Sequence, residues 1–102
     1  MKKYNKETLQ RIDVYNLLRE LQFKITSRGF DYWIEAIMSD DISIMNIYQE
    51  IADKYHTTYT NVERCMRTAK EDAIENIQKR YKLDIPLSNI MILRLIRNES
   101  EE

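Results

Sequence analysis

The sequence has little of what several other fold classes require. It contains one glycine, one proline, one cysteine and one histidine in 102 residues. A lone cysteine cannot form an internal disulfide, and with a single histidine it cannot complete a zinc site. So few glycines and prolines leave little for the tight turns of an all-β chain, whereas helices joined by short loops need few of either. The absences favour an all-α fold without a structural metal.

Long apolar runs are also missing. No run approaches the length of a bilayer-spanning helix, and polar residues follow the basic N-terminus where a secretory signal would be apolar. We therefore expect a cytoplasmic protein with no membrane partner. The apolar share of 43% and the length of 102 residues suit one soluble domain. We predict a single helical domain over residues 1–98 and an acidic tail over residues 99–102.

What the sequence has is apolar residues at helical spacing along most of its length, which predicts a compact bundle of five to six helices. The predicted helices are residues 6–23, a segment around Trp33 that ends at Ser39, residues 43–55, an uninterrupted helix over residues 59–80, and residues 88–97. Asp40 or Asp41 is the expected cap of the third helix.

Residues from about 43 to 80 have the spacing of a helix-turn-helix. Ala52 is small enough to let a second helix cross closely. The turn position, which is commonly glycine, is His56, one of the side chains enriched among non-glycine residues with positive φ. Thr57 and Thr58 are candidate N-caps of the fourth helix, and a capping box that begins at Thr60 is a competing start.

The outward face of the fourth helix is polar. Helical spacing places Thr60, Glu63, Arg64 and Arg67 opposite an apolar face that includes Val62. Arginine pairs with guanine, whereas glutamate and asparagine select cytosine and adenine, so these residue types suit base reading in the major groove. The alternative is a solvated face with an ion pair between Glu63 and Arg67.

The charge pattern bears on the same choice. A net charge of −1 is unfavourable for a DNA-binding protein, but Lys54, Arg64, Arg67 and Lys70 fall in one segment. The sequence shows no pairing of nucleophile and base, no phosphate loop and no carboxylate dyad. We therefore expect no catalytic residues, no cofactor, no metal and no small-molecule substrate.

Residues 47–69 resemble the C-terminal DNA-binding effector domain of the master sporulation response regulator of spore-forming bacteria. The most distinctive part is Thr57-Thr58 and Val62-Glu63-Arg64 followed by Arg67. The resemblance extends to residues 17–37 and, in shortened form, to residues 86–89 with the helix that follows. It implies a bundle of six helices that binds double-stranded DNA through a helix-turn-helix, often as tandem copies.

By this resemblance Glu63, Arg64 and Arg67 match the family's DNA-facing residues, and Thr60 takes the place of its serine. Asn61 stands where the family has arginine, so one contact with DNA is expected to differ. No receiver domain is recognised, so phosphorelay control is not implied. The full set of predicted DNA-binding residues is Thr58, Tyr59, Thr60, Asn61, Glu63, Arg64, Arg67, Lys70, Lys54 and His56.

Two of these residues, and Cys65 on the same helix as Lys70, also have plainer interpretations. Lys54 and Lys70 fit solvated charges better than specific contacts, and Cys65 fits a small core residue better than a redox sensor. Three functions remain open. The first is a transcriptional regulator, the second is a plasmid or phage accessory protein that marks an origin of transfer or replication, and the third is a protein-interaction antagonist of a related regulator. Tandem or dimeric copies on DNA are a further open alternative.

Overall fold

The structure is a computed structural model that describes residues 6–100, with side chains described for residues 10–99. Within residues 6–100 every regular element is helical, which confirms the predicted all-α class. The elements are α1 (Lys6–Glu20), α2 (Arg28–Met38), α3 (Ile44–Lys54), α4 (Tyr59–Lys70), a 3₁₀ turn (Glu71–Ala73), α5 (Ile74–Tyr81) and α6 (Asn89–Ser100). None of these helices is both long and apolar enough to span a membrane.

Helix α2 forms the centre of the core because seven of its eleven residues are buried, and it packs against α1, α3, α4 and α6. The largest side chain, Trp33, is fully buried and contacts Phe23 edge to face. Its indole Nε1–H donates to the Met66 carbonyl oxygen at 2.8 Å. This bond ties the core helix directly to the backbone of α4.

Gly29 allows α2 and α4 to approach closely. A Cβ placed on Gly29 would lie 2.1 Å from the Cys65 carbonyl oxygen and 2.7 Å from the Ala69 Cβ. No larger residue fits there unless the two helices move apart. The single glycine of the chain therefore helps to set the position of α4 on the core.

The prediction of one uninterrupted helix over residues 59–80 is wrong. The Lys24 N–H, from the loop between α1 and α2, donates to the Ala69 carbonyl oxygen at 3.2 Å. The Ala69 carbonyl oxygen would otherwise accept only from within the helix, and the 3₁₀ turn begins two residues after it. Ala73 and Ile77 remain buried beyond it, so the bend keeps the apolar stripe on the core.

The prediction that Asp40 or Asp41 caps the third helix is also wrong. The N-cap of α3 is Ser43, whose side chain accepts from the Asn46 N–H. Asp41 instead fixes the backbone of the capping residue, because its Oδ1 accepts from the Ser43 N–H at 2.9 Å. That hydrogen bond lowers the pKa of Asp41.

Helix α6 completes the bundle. Ile92, Leu93 and Ile96 are buried, whereas Ile90, Met91 and Leu95 are only half-buried. The helix extends past residue 97 and includes Glu99, which accepts from Arg80 and from the Tyr81 hydroxyl. Of the predicted acidic tail, residues 101 and 102 lie outside the described residues.

Candidate nucleic-acid interface

The turn between α3 and α4 has the geometry that its sequence predicts. His56 has a φ of 55°, so histidine occupies the left-handed position. The next N–H, that of Thr57, donates to the Ala52 carbonyl oxygen at 2.9 Å. Thr58 is extended and caps α4, its Oγ1 accepting from the Asn61 N–H at 3.1 Å. The competing start at Thr60 is not used.

Helix α4 is held on the core by its apolar side and by two aromatic rings. Val62, Met66 and Ala69 are fully buried. The ring of Tyr59 packs edge to face on that of Tyr48, with centroids 5.2 Å apart.

Tyr48 is itself held by a hydrogen bond from α6. Its hydroxyl accepts from the buried Asn89 Nδ2 at 2.9 Å, and burial raises the pKa of Tyr48. The same Nδ2 lies 3.5 Å from the Glu63 carbonyl oxygen. This junction of α3, α4 and α6 is invisible in the sequence, because Asn89 lies far along the chain from both partners.

The opposite side of α4 presents polar side chains to solvent. Thr60, Arg64 and Arg67 are exposed, and Glu63 is half-buried. Arg67 Nη1 lies 3.4 Å from Glu63 Oε1, which is the ion pair expected from their spacing. At an exposed site such a pair contributes only about 0.3–0.5 kcal/mol, so it opens readily for a better partner.

Asn61 lies between the exposed and buried sides of α4. Its Oδ1 accepts from Arg64 Nη2 at 3.1 Å, and the Cys65 Sγ approaches the same oxygen at 3.6 Å. Its Nδ2 donates to the Thr57 Oγ1 at 2.9 Å. The amide therefore links the turn to Arg64.

Lys70 differs from the other predicted DNA-binding residues. Only 6% of it is exposed, and its Nζ donates to the Leu87 carbonyl oxygen at 2.8 Å. Burial lowers the pKa of Lys70. The expectation of a solvated charge is wrong here, because the segment before α6 folds over the end of α4.

Lys54 is exposed but has a partner on another helix. Its Nζ donates to one carboxylate oxygen of Glu35 on α2, while Arg11 of α1 donates to the other. Partial burial alone would raise the pKa of Glu35, but the hydrogen bonds from Lys54 and Arg11 lower it overall. Sequence inspection does not reveal this triad, since its members come from three helices.

The geometry defines a small helical domain in which a firmly anchored helix presents two arginines, an arrangement found in many helical DNA-binding domains. The family described as sporulation initiation factor Spo0A C terminal matches residues 14–89. That family is one of DNA-binding domains, and the chain belongs to it. Comparisons with curated proteins and with solved structures give no match.

Proposed function

We propose that this protein is a sequence-specific double-stranded DNA-binding protein in which α3 and α4 act as a helix-turn-helix and α4 enters the major groove. The observation that carries the proposal is the arrangement of α4. Its apolar side is locked onto the core, while Arg64 and Arg67 stand exposed on its outer side. Membership of a DNA-binding family supports the same assignment.

The two arginines suit guanine, whose O6 and N7 accept a bidentate guanidinium. Arg64 gives one donor to a neutral amide and keeps the others. Arg67 is paired with Glu63, and that carboxylate is itself a good acceptor for the cytosine N4 amino group. A recognition site with neighbouring guanine and cytosine contacts satisfies both groups.

The start of α4 suits the phosphate backbone. The exposed side chains of His56, Thr58 and Thr60 lie at or next to the turn, and the half-buried Tyr59 follows the cap. We assign phosphate contacts to this group, because such contacts position a helix without reading sequence. Lys54 gives one of its three ammonium donors to Glu35 and keeps the other two for phosphate, whereas we assign no DNA contact to Lys70, whose ammonium is buried.

The role we favour is transcriptional regulation. The same interface would serve a plasmid or phage protein that marks an origin, and tandem copies on DNA are compatible with either role. Mapping the bound sites in cells by chromatin immunoprecipitation separates them, because a regulator occupies promoters.

A second candidate is an antagonist that binds a related regulator. Two observations support it: the net charge is −1, and both Lys54 and Arg67 are paired with carboxylates.

Selection from random duplex DNA tests the proposal. The protein is mixed with the pool, bound duplexes are recovered and sequenced, and the affinity for the selected site is measured from about 50 to 200 mM salt. We expect a defined motif and an affinity that falls steeply with salt, since each neutralised phosphate contributes a slope of about −0.9. Recovery of no motif, with an affinity independent of salt, would refute DNA recognition and support the antagonist.

A further inference from the structure

We infer that Asn61 is a positioning residue, which holds the Arg64 guanidinium ready for its base and does not read DNA itself. The inference rests on the proposed function, because it assigns the division of labour within the DNA-reading face of α4. It differs from what the residue types alone suggest, since an asparagine on a recognition helix is a natural reader of adenine.

The hydrogen bonds of the amide argue against direct reading. Adenine is read by an amide that accepts from N6 and donates to N7 at the same time. The Asn61 oxygen has two acceptor sites, and these face Arg64 Nη2 at 3.1 Å and Cys65 Sγ at 3.6 Å. One of its two N–H donors is given to Thr57. The amide cannot simply turn over, because arginine has no acceptor for an N–H donor.

The contact with Asn61 gives Arg64 a different state from Arg67. Asn61 is neutral, so the guanidinium of Arg64 is oriented but keeps its full charge. Arg67 is instead partly neutralised by Glu63 at 3.4 Å. A long side chain that is already ordered loses less conformational freedom on binding, which improves affinity without adding a contact.

The anchor of this arrangement is the turn. The Thr57 N–H is bonded to the end of α3 through the Ala52 carbonyl oxygen, and the Thr57 Oγ1 accepts from Asn61. Asn61 in turn accepts from Arg64. A continuous chain of hydrogen bonds therefore runs from α3 to the guanidinium, which is held near the N-terminal part of α4, the part that meets base edges in helix-turn-helix proteins.

A double-mutant cycle tests the inference. Affinities are measured for the selected duplex and all its single-base variants with wild type, Asn61→Ala, Arg64→Ala and the double variant. We expect Asn61→Ala to weaken binding about three- to tenfold and to relax preference at the base pair that Arg64→Ala relaxes. In the Arg64→Ala background the Asn61 substitution should have no further effect, because its target is gone.

The result that overturns the inference is a set of independent effects, in which Asn61→Ala relaxes a different base pair or the two losses multiply. Unchanged binding by Asn61→Ala would overturn it as well. Arg64→Ala separates this failure from failure of the proposed function. If Arg64→Ala binds every duplex as wild type does, both the inference and the proposed function are refuted.

Two further variants serve as matched tests. Thr57→Val removes the Oγ1 that anchors the amide, so it should relax the same base pair more weakly, and it replaces Asn61→Ala in the cycle if that variant does not fold. Cys65→Ala leaves the bond between Asn61 and Arg64 intact and should bind as wild type. Circular dichroism and thermal melting establish that each variant is folded.

Discussion

For the substitution Gly29→Ala, helix propensity and packing predict opposite changes in the stability of the protein. Alanine is the better helix former, by up to about 1 kcal/mol, so propensity alone predicts a more stable protein. The packing of α2 on α4 predicts the reverse, because the new Cβ would lie 2.1 Å from the Cys65 carbonyl oxygen. The measured sign therefore decides which effect is larger.

The magnitude follows from how far the helices must move. Moving the new Cβ from 2.1 Å to an ordinary contact of about 3.4 Å requires a shift of about 1.3 Å, which lengthens the bond from the Trp33 Nε1 to the Met66 carbonyl oxygen from 2.8 Å to about 4.1 Å and breaks it. Overpacking costs roughly 1–3 kcal/mol, and a buried N–H without a partner costs roughly 1–3 kcal/mol more. After the gain in propensity we expect a loss of about 1–5 kcal/mol in the free energy of unfolding.

Urea unfolding followed by circular dichroism measures this change. We expect a lower midpoint with an unchanged m-value, since the same surface is exposed on unfolding. Arg28→Ala is the control, because Arg28 is exposed at the neighbouring position of α2 and should change stability by less than about 0.5 kcal/mol. A Gly29→Ala protein as stable as wild type would refute the close approach of α2 and α4.

Three other predictions concern positions away from this contact. His56→Gly should stabilise the protein by up to about 1 kcal/mol in urea unfolding, because histidine at a φ of 55° is strained, and a loss there would contradict the left-handed turn. Arg97→Met should lower the free energy of unfolding by roughly 2–4 kcal/mol, since Arg97 donates to the carbonyl oxygens of Ala36, Ser39 and Asp41 at 2.6–2.9 Å. Arg94→Met is the control, because Arg94 is exposed on the same helix and its replacement should change the free energy of unfolding little. Hydrogen bonds from Arg80 lower the pKa of Glu99 below 4.5, so this carboxylate stabilises the fold above that pH and the stabilisation is lost as pH falls through the lowered pKa. Glu99→Gln should thus lower the free energy of unfolding by at most about 1 kcal/mol near pH 7, because the side chains of Arg80 and Glu99 are both about one-third exposed. The difference from wild type should vanish in acid, and a difference that persists there would contradict the ion pair.

The features that the sequence predicts correctly are local ones. A left-handed histidine, a threonine cap and an outward polar stripe depend on residues within one or two helical turns, and His56, Thr58 and Arg64 lie where their spacing implies. The departures have tertiary causes. The burial of Lys70 depends on the carbonyl of Leu87, and the break after α4 coincides with a bond from Lys24 to Ala69. Neither contact has a signature in the spacing of nearby residues.

Base reading by Arg64 and Arg67 on α4 is measured by the affinities of the protein for the selected site and for all of its single-base variants. Each arginine is replaced by alanine in turn, with folding checked by circular dichroism. We expect each replacement to remove roughly 1–3 kcal/mol of discrimination at one base pair and to leave preference at the other positions unchanged. If both variants fold and retain the affinity and base preference of wild type, α4 is not the helix that reads DNA.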